Sequence, residues 1–161
     1  MSSARVPAAA PPRESADAGV AAARATEAVI AFAAADYNLA STVAGRRSAS
    51  AGFLAAYLRQ ATRFACLVRE AEDAGAFREL VERHAGVEGP VDLLRWDDIA
   101  GLAEIGTLYT PGPDLGAYAW LRRGGDQRGF SLVGVTHTLS EAHAMDAVGR
   151  LLTAPVQAWD A

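Results

Sequence analysis

The sequence predicts an α/β fold, a mostly parallel sheet flanked by helices. Short apolar runs of strand length, such as "RFACLV" and "FSLVGV", alternate with stretches whose apolar residues recur at helical spacing. Residues 130–135 are apolar almost throughout, as expected of a strand buried on both faces of a parallel sheet. The 161 residues suffice for one domain with a real core and are too few for two ordinary ones.

Along the chain, residues 1–16 are rich in Ala, Pro, Ser and Arg, and Pro7, Pro11 and Pro12 disfavour helix, so a disordered tail is expected. Residues 17–161 then form the single domain. Residues 17–28 are Ala-rich and helix-prone without a strong apolar stripe. A strand is expected somewhere within "VIAFAAADYNL", although the alanines at 31, 33, 34 and 35 suit helix equally. "ASTVAGRRSASAG" reads as a small polar loop, and "FLAAYLRQA" as a helix with Phe53, Leu54, Tyr57 and Leu58 on its apolar side.

"RFACLV" is the next strand, and the following helix carries Phe77, Leu80 and Val81 on one face and ends at Gly86. "VDLLRW" reads as a strand and "DDIAGLAEIG" as a short helix capped by Asp97 or Asp98. "TLYTPGP" is a strand entering a turn made by Pro111, Gly112 and Pro113, and "DLGAYAWLRRGG" is a helix closed by Gly124 and Gly125. After the strand at 130–135, Thr138 and Glu141 are spaced as a capping box. Met145, Val148, Leu151 and Leu152 then predict the inward face of a last helix.

Composition excludes several classes. The net charge is −4, and no run of basic residues exceeds two, whereas a duplex-binding face needs concentrated positive charge. No nucleic-acid partner is therefore expected. No stretch reaches the roughly 18 apolar residues of a membrane span, and the N-terminal residues lack a signal-peptide core. A single cysteine, Cys66, makes no intrachain disulfide; within "FACLV" it reads as a small buried hydrophobe. A cytoplasmic location is the default expectation.

In open α/β sheets, ligands bind at the carboxyl ends of strands. Two places fit. The loop at residues 44–50 offers Gly45 for close backbone approach, Arg46 and Arg47 for anionic oxygens, and Ser48 and Ser50 as hydrogen-bond donors, with a helix N-terminus to follow. It is neither a Walker A loop nor G-x-G-x-x-G, and its arginines are equally readable as solvated. The other place is Thr136-His137-Thr138. His137 has three readings there: a group contacting a ligand, a histidine bonded to neighbouring backbone, or a metal ligand. His137, Glu141 and His143 lack the paired-histidine spacing of a metalloprotease helix, so no metal and no cofactor are expected. There is no G-x-S-x-G elbow, no cysteine with a plausible base, and no carboxylate pair spaced for acid–base work. Tyr109, Trp120 and Trp159 are candidates to face a sugar or to fill the core.

"DYNLASTVAGRRSASAGFLAAYLR", "GTLYTPGPDLGAYAWLRR" and "FSLVGVTHTLSEAHAMDAVGRLLTAPVQAWDA" resemble the start of bacterial glycosyltransferases of the glycogen-synthase-like, two-domain GT-B type. The resemblance covers residues 36–161. It implies a Rossmann-like N-terminal domain that receives the acceptor, facing a C-terminal domain across a cleft, and transfer from a nucleoside-diphosphate sugar. It assigns Gly45, with its neighbours Arg46 and Arg47, to the donor phosphates and His137 to the transferred sugar; Ser48 and Thr136 beside them complete the candidate substrate-binding residues. It also implies that the partner C-terminal domain and the last strands of the first are missing, leaving an uncovered sheet edge beside residues 130–135 and no activity in isolation. The competing expectation is a standalone α/β module that binds a phosphate-bearing small molecule or a separate partner domain.

Overall fold

A computed structural model describes residues 27–37, 45–86, 90–137 and 139–161, and for residues 45–47 the backbone alone. The expected tail at 1–16 and the helix-prone stretch before Glu27 lie outside the described residues. Strands β1 (Val29–Ala31), β2 (Phe64–Val68), β3 (Val91–Arg95), β4 (Thr107–Thr110) and β5 (Ser131–Gly134) form one sheet in the order β3-β2-β1-β4-β5. Every pairing is parallel, with Ile30 opposite Cys66 on one side and Tyr109 on the other. The helices are α1 (Ala34–Tyr37), α2 (Gly45–Leu58), α3 (Ala71–Ala85), α4 (Ile99–Ile105), α5 (Gly116–Arg122) and α6 (Ala142–Leu151). The protein is thus an α/β domain with a Rossmann-like parallel sheet.

Alternation along each strand divides the core into two layers. Ile30, Phe32, Phe64, Cys66 and Tyr109 point to one face, where they meet Leu54, Tyr57 and Leu58 of α2 and Phe77 and Val81 of α3. Val29, Ala65, Leu67, Leu108 and Leu132 point to the other, against Leu102 of α4 and Leu115 and Ala119 beside α5. A parallel sheet covered on both faces needs apolar side chains in both registers, which explains the unbroken apolar runs. The helix ends follow local chemistry. Asp98 caps α4 by accepting a 2.9 Å hydrogen bond from the Gly101 N–H, and Gly86 ends α3 in a left-handed conformation (φ 68°).

The strand expected within residues 29–39 is β1; it ends at Ala31, and Ala34–Tyr37 turns into α1 because the Asp73 carboxylate accepts from the Ala34 N–H at 2.9 Å. Three expectations are corrected. The supposed loop at 44–50 is helical from Gly45 onward; its small residues and arginines extend α2. The last helix begins at Ala142, after Glu141, so Glu141 does not stand at the third helical position of a capping box; Thr138 lies outside the described residues. Finally, of the expected inward face only Leu151 packs against the core; α6 buries Ala144 and Ala147 while Met145, Val148 and, just past the helix, Leu152 are exposed, Leu152 by 90%. Two stripes one residue apart fit the same period, and the one with small side chains faces inward.

The expected open edge beside residues 130–135 is also partly closed. The Asp160 carboxylate accepts from the Leu132 N–H (2.8 Å). Ala161 donates to the Leu132 carbonyl (2.9 Å) and accepts from the Gly134 N–H (2.7 Å), as a residue does in a parallel pair. Asp160 is held by Arg122, whose guanidinium lies under Phe130 and also donates to the Phe130 carbonyl at 2.8 Å.

Candidate functional site

The chain order reverses direction between β1 and β4: β1 leads through α2 to β2 and onward to β3, after which the chain returns to place β4 on the opposite side of β1. Such a switch point leaves a crevice at the carboxyl ends of the strands, because the connections leave in opposite directions. A cleft of about 420 Å³ lies there. Its size falls in the range of small-molecule sites.

Each wall follows from a strand end. Phe32 and Ala33 leave β1 and are pinned by the Asp73–Ala34 hydrogen bond. Thr110 ends β4 and donates its hydroxyl proton to the Gly112 carbonyl at 2.7 Å, fixing the Pro111-Gly112-Pro113 turn that lines the cleft. That turn presses on β5 at Gly134, where a Cβ would stand 2.7 Å from the Gly112 carbonyl oxygen and 2.9 Å from Leu115. Only glycine permits this approach. On the far side, β5 runs out through Val135 to His137, and the start of α6 contributes Glu141, His143 and Ala144.

The polar groups come from five strand or helix ends. Arg69 follows β2, Asp73 opens α3, Asp36 lies in α1, Asp114 follows the turn after β4, and Tyr118 projects from α5. Burial pushes the Tyr118 phenol upward, the hydrogen-bonded Arg69 guanidinium pulls it down, and the charges of Asp114 and Asp36 push it up again. The Nε2 atom of His137 is buried and has no hydrogen-bond partner among the described residues. A buried polar atom of this kind costs free energy unless another group reaches it.

Of the sequence-derived site residues, His137 lines the cleft, whereas Thr136 is exposed and does not. Gly45, Arg46 and Arg47 begin α2, and their side chains lie outside what is described; Ser48 is exposed and Ser50 buried, and neither lines the cleft. Tyr109 is core, its ring stacked on Phe53 with centroids 4.2 Å apart. Trp120 is half exposed beneath Arg123, and neither it nor Trp159 lines the cleft. Among the described residues, no group of three His, Cys, Asp or Glu side chains is placed to hold a metal ion, although His137, Glu141 and His143 share a wall.

Sequence reasoning overlooked Arg69, Asp73, Asp114 and Tyr118. The first three were within reach of the same rule that found His137, since each follows closely after an apolar strand. No helix among the described residues is long and apolar enough to cross a membrane. No protein-family model matches the chain, and neither curated proteins nor solved structures give a match.

Proposed function

We propose that the chain is the N-terminal, acceptor-side portion of a glycosyltransferase that moves a sugar from a nucleoside-diphosphate sugar to an acceptor, and that it is inactive alone. The observation that carries the reading is His137: its imidazole lies just past the carboxyl end of β5 and lines the switch-point cleft, with a buried Nε2 that has no partner among the described residues. A sugar hydroxyl is a suitable partner for that nitrogen, and the resemblance of the sequence puts a sugar-contacting histidine at this position.

In the transfer, an acceptor hydroxyl oxygen bonds to the anomeric carbon as the bond from that carbon to the diphosphate breaks. The bonding electrons leave with the nucleoside diphosphate, and the hydroxyl proton passes to solvent or to the departing phosphate. Fixed donors at the diphosphate are the largest expected contribution to such a step. On this reading they belong chiefly to a second domain, while His137 and the 110–113 turn orient the sugar-bearing partner.

Purified 1–161 is expected to show no turnover of nucleotide sugars, and sugars are expected to shift the backbone amide NMR signals of residues 110–114 and 137. His137→Ala should weaken those shifts without unfolding the sheet. Turnover by the isolated chain would overturn the claim that it is inactive alone, and sugar-induced shifts confined to other surfaces would overturn the site.

A further inference from the structure

We propose that residues 152–161 form a strap that opens as a unit, and that while closed it keeps the outer edge of β5 from pairing with a second copy of the chain. The two edges of the sheet differ. β3 carries Asp92 and Arg95, and charged side chains on an edge strand discourage pairing with another chain. β5 has no such protection. Residues 129–136 hold no charged residue and no proline, and Leu132 and Val133 pack into opposite core layers. Left bare, the N–H groups of Leu132 and Gly134 and the Leu132 carbonyl would form a strand edge. The β5 of a second copy offers the same groups in antiparallel order, so the edge is complementary to itself. In the structure those three groups are taken by Asp160 and Ala161.

One carboxylate carries the closure. Asp160 accepts two hydrogen bonds from Arg122 and one each from the N–H groups of Leu132 and Gln157, and Ala161 follows it directly. The rest of the strap is held less firmly. Ala154 and Val156 are only partly buried against the core, the Pro155 carbonyl meets Arg122 at 3.5 Å, and Leu152 and Trp159 are exposed. Segments with few buried contacts open at lower free energy than the core. Opening also returns Arg122 and Asp160 to water together, so neither charge is stranded. The pairings among β1, β2, β3 and β4 do not involve the strap and stay intact.

Native-state hydrogen exchange of the wild type tests the strap. The amides of Leu132 and Gly134 should open together and at lower free energy than that of Cys66 in β2. Equal opening free energies would overturn a separately opening unit. Asp160→Asn tests the edge, because an amide cannot accept both hydrogen bonds from Arg122. In dilute protein, Leu132 and Gly134 of this variant should exchange about tenfold or more faster than in wild type, with Cys66 still protected. In concentrated protein the variant should sediment as a dimer and the two amides should regain protection, while wild type sediments as a monomer. A variant that exchanges fast yet stays monomeric would overturn the second copy. Association that leaves Leu132 and Gly134 unprotected would overturn the edge as the contact. Should Asp160→Asn not fold, wild type in dilute urea decides. Where Leu132 is open and Cys66 still protected, raising the protein concentration should slow exchange at Leu132, and no such slowing would overturn the pairing.

Discussion

The guanidinium of Arg122 and the carboxylate of Asp160 meet in two 2.7 Å hydrogen bonds, with side chains only 1% and 3% exposed. Asp160 also accepts from the N–H groups of Leu132 and Gln157, so a single carboxylate joins α5, β5 and the C-terminal segment. Buried pairs of this kind add little over an apolar substitute, but removing one partner strands the other.

Asp160→Ala should therefore cost about 3–5 kcal/mol in a urea unfolding experiment, while the double variant Arg122→Met, Asp160→Leu should cost markedly less. Similar losses in the two would mean that packing, and not the uncompensated charge, dominates.

The pair also sets an acid limit. Burial pushes the Asp160 carboxyl up, but the hydrogen bonds from Arg122, Gln157 and Leu132 outweigh it and hold it below its ordinary value. A depressed folded value means that its stabilisation is present above the unfolded value, about pH 4, and is lost as pH falls through the folded one. Wild type should thus lose more stability than Asp160→Asn between about pH 5 and pH 2, as read by urea midpoints.

Gly134→Ala should cost about 1–3 kcal/mol, since its Cβ would stand 2.7 Å from the backbone oxygen of Gly112 and relief requires moving the turn or the strand. Amide shifts at residues 110–114 would register the displacement. A variant as stable as wild type with unmoved shifts would show that the contact yields freely.

Cys66 should be inert in the native state. It is fully buried in β2, and burial pushes its thiol up to about 12, leaving little thiolate at neutral pH. Native protein should react with a disulfide reagent only at the rate of opening, and fully in denaturant. Rapid native labelling would contradict the burial.

On α6, Leu152→Gln and Met145→Gln should change stability by no more than about 0.5 kcal/mol, because both positions face outward. Ala147→Leu, at a fully buried position, should cost about 1–3 kcal/mol. The reverse ranking would restore the inward face expected from the sequence.

That face shows where the sequence is readable and where it is not. The runs that became β2, β4 and β5 stand out because they are apolar on both faces, the edge strand β3 (VDLLR) less so, and Gly86 and Asp98 mark helix ends by local chemistry alone. Alanine is silent by comparison: it blurred the end of β1, and on α6 it hid the buried stripe of Ala144 and Ala147 behind the larger Met145 and Val148. His137 was found because it follows a strand directly. Tyr118 was not, because the turn between it and β4 decides where it points. Arg122 gives no sequence signal at all. An arginine in the last turn of a helix ordinarily faces water, and only the return of the chain at Asp160 makes it internal.

The central position of β1 has a kinetic consequence. This three-residue strand bonds β2 on one side and β4 on the other, and both are synthesised later. Pairings between distant segments are slow because the intervening chain must first be closed into a loop. As the chain leaves the ribosome, β1, β2 and β3 can associate while the β4 side of β1 waits for its partner. In pulse-labelled hydrogen exchange, amides of Phe64–Val68 should gain protection before those of Thr107–Thr110, and the opposite order would refute this sequence of events. Since the cleft draws its walls from both sides of β1, a ligand cannot template the early half. Binding competence arrives only with the final pairing.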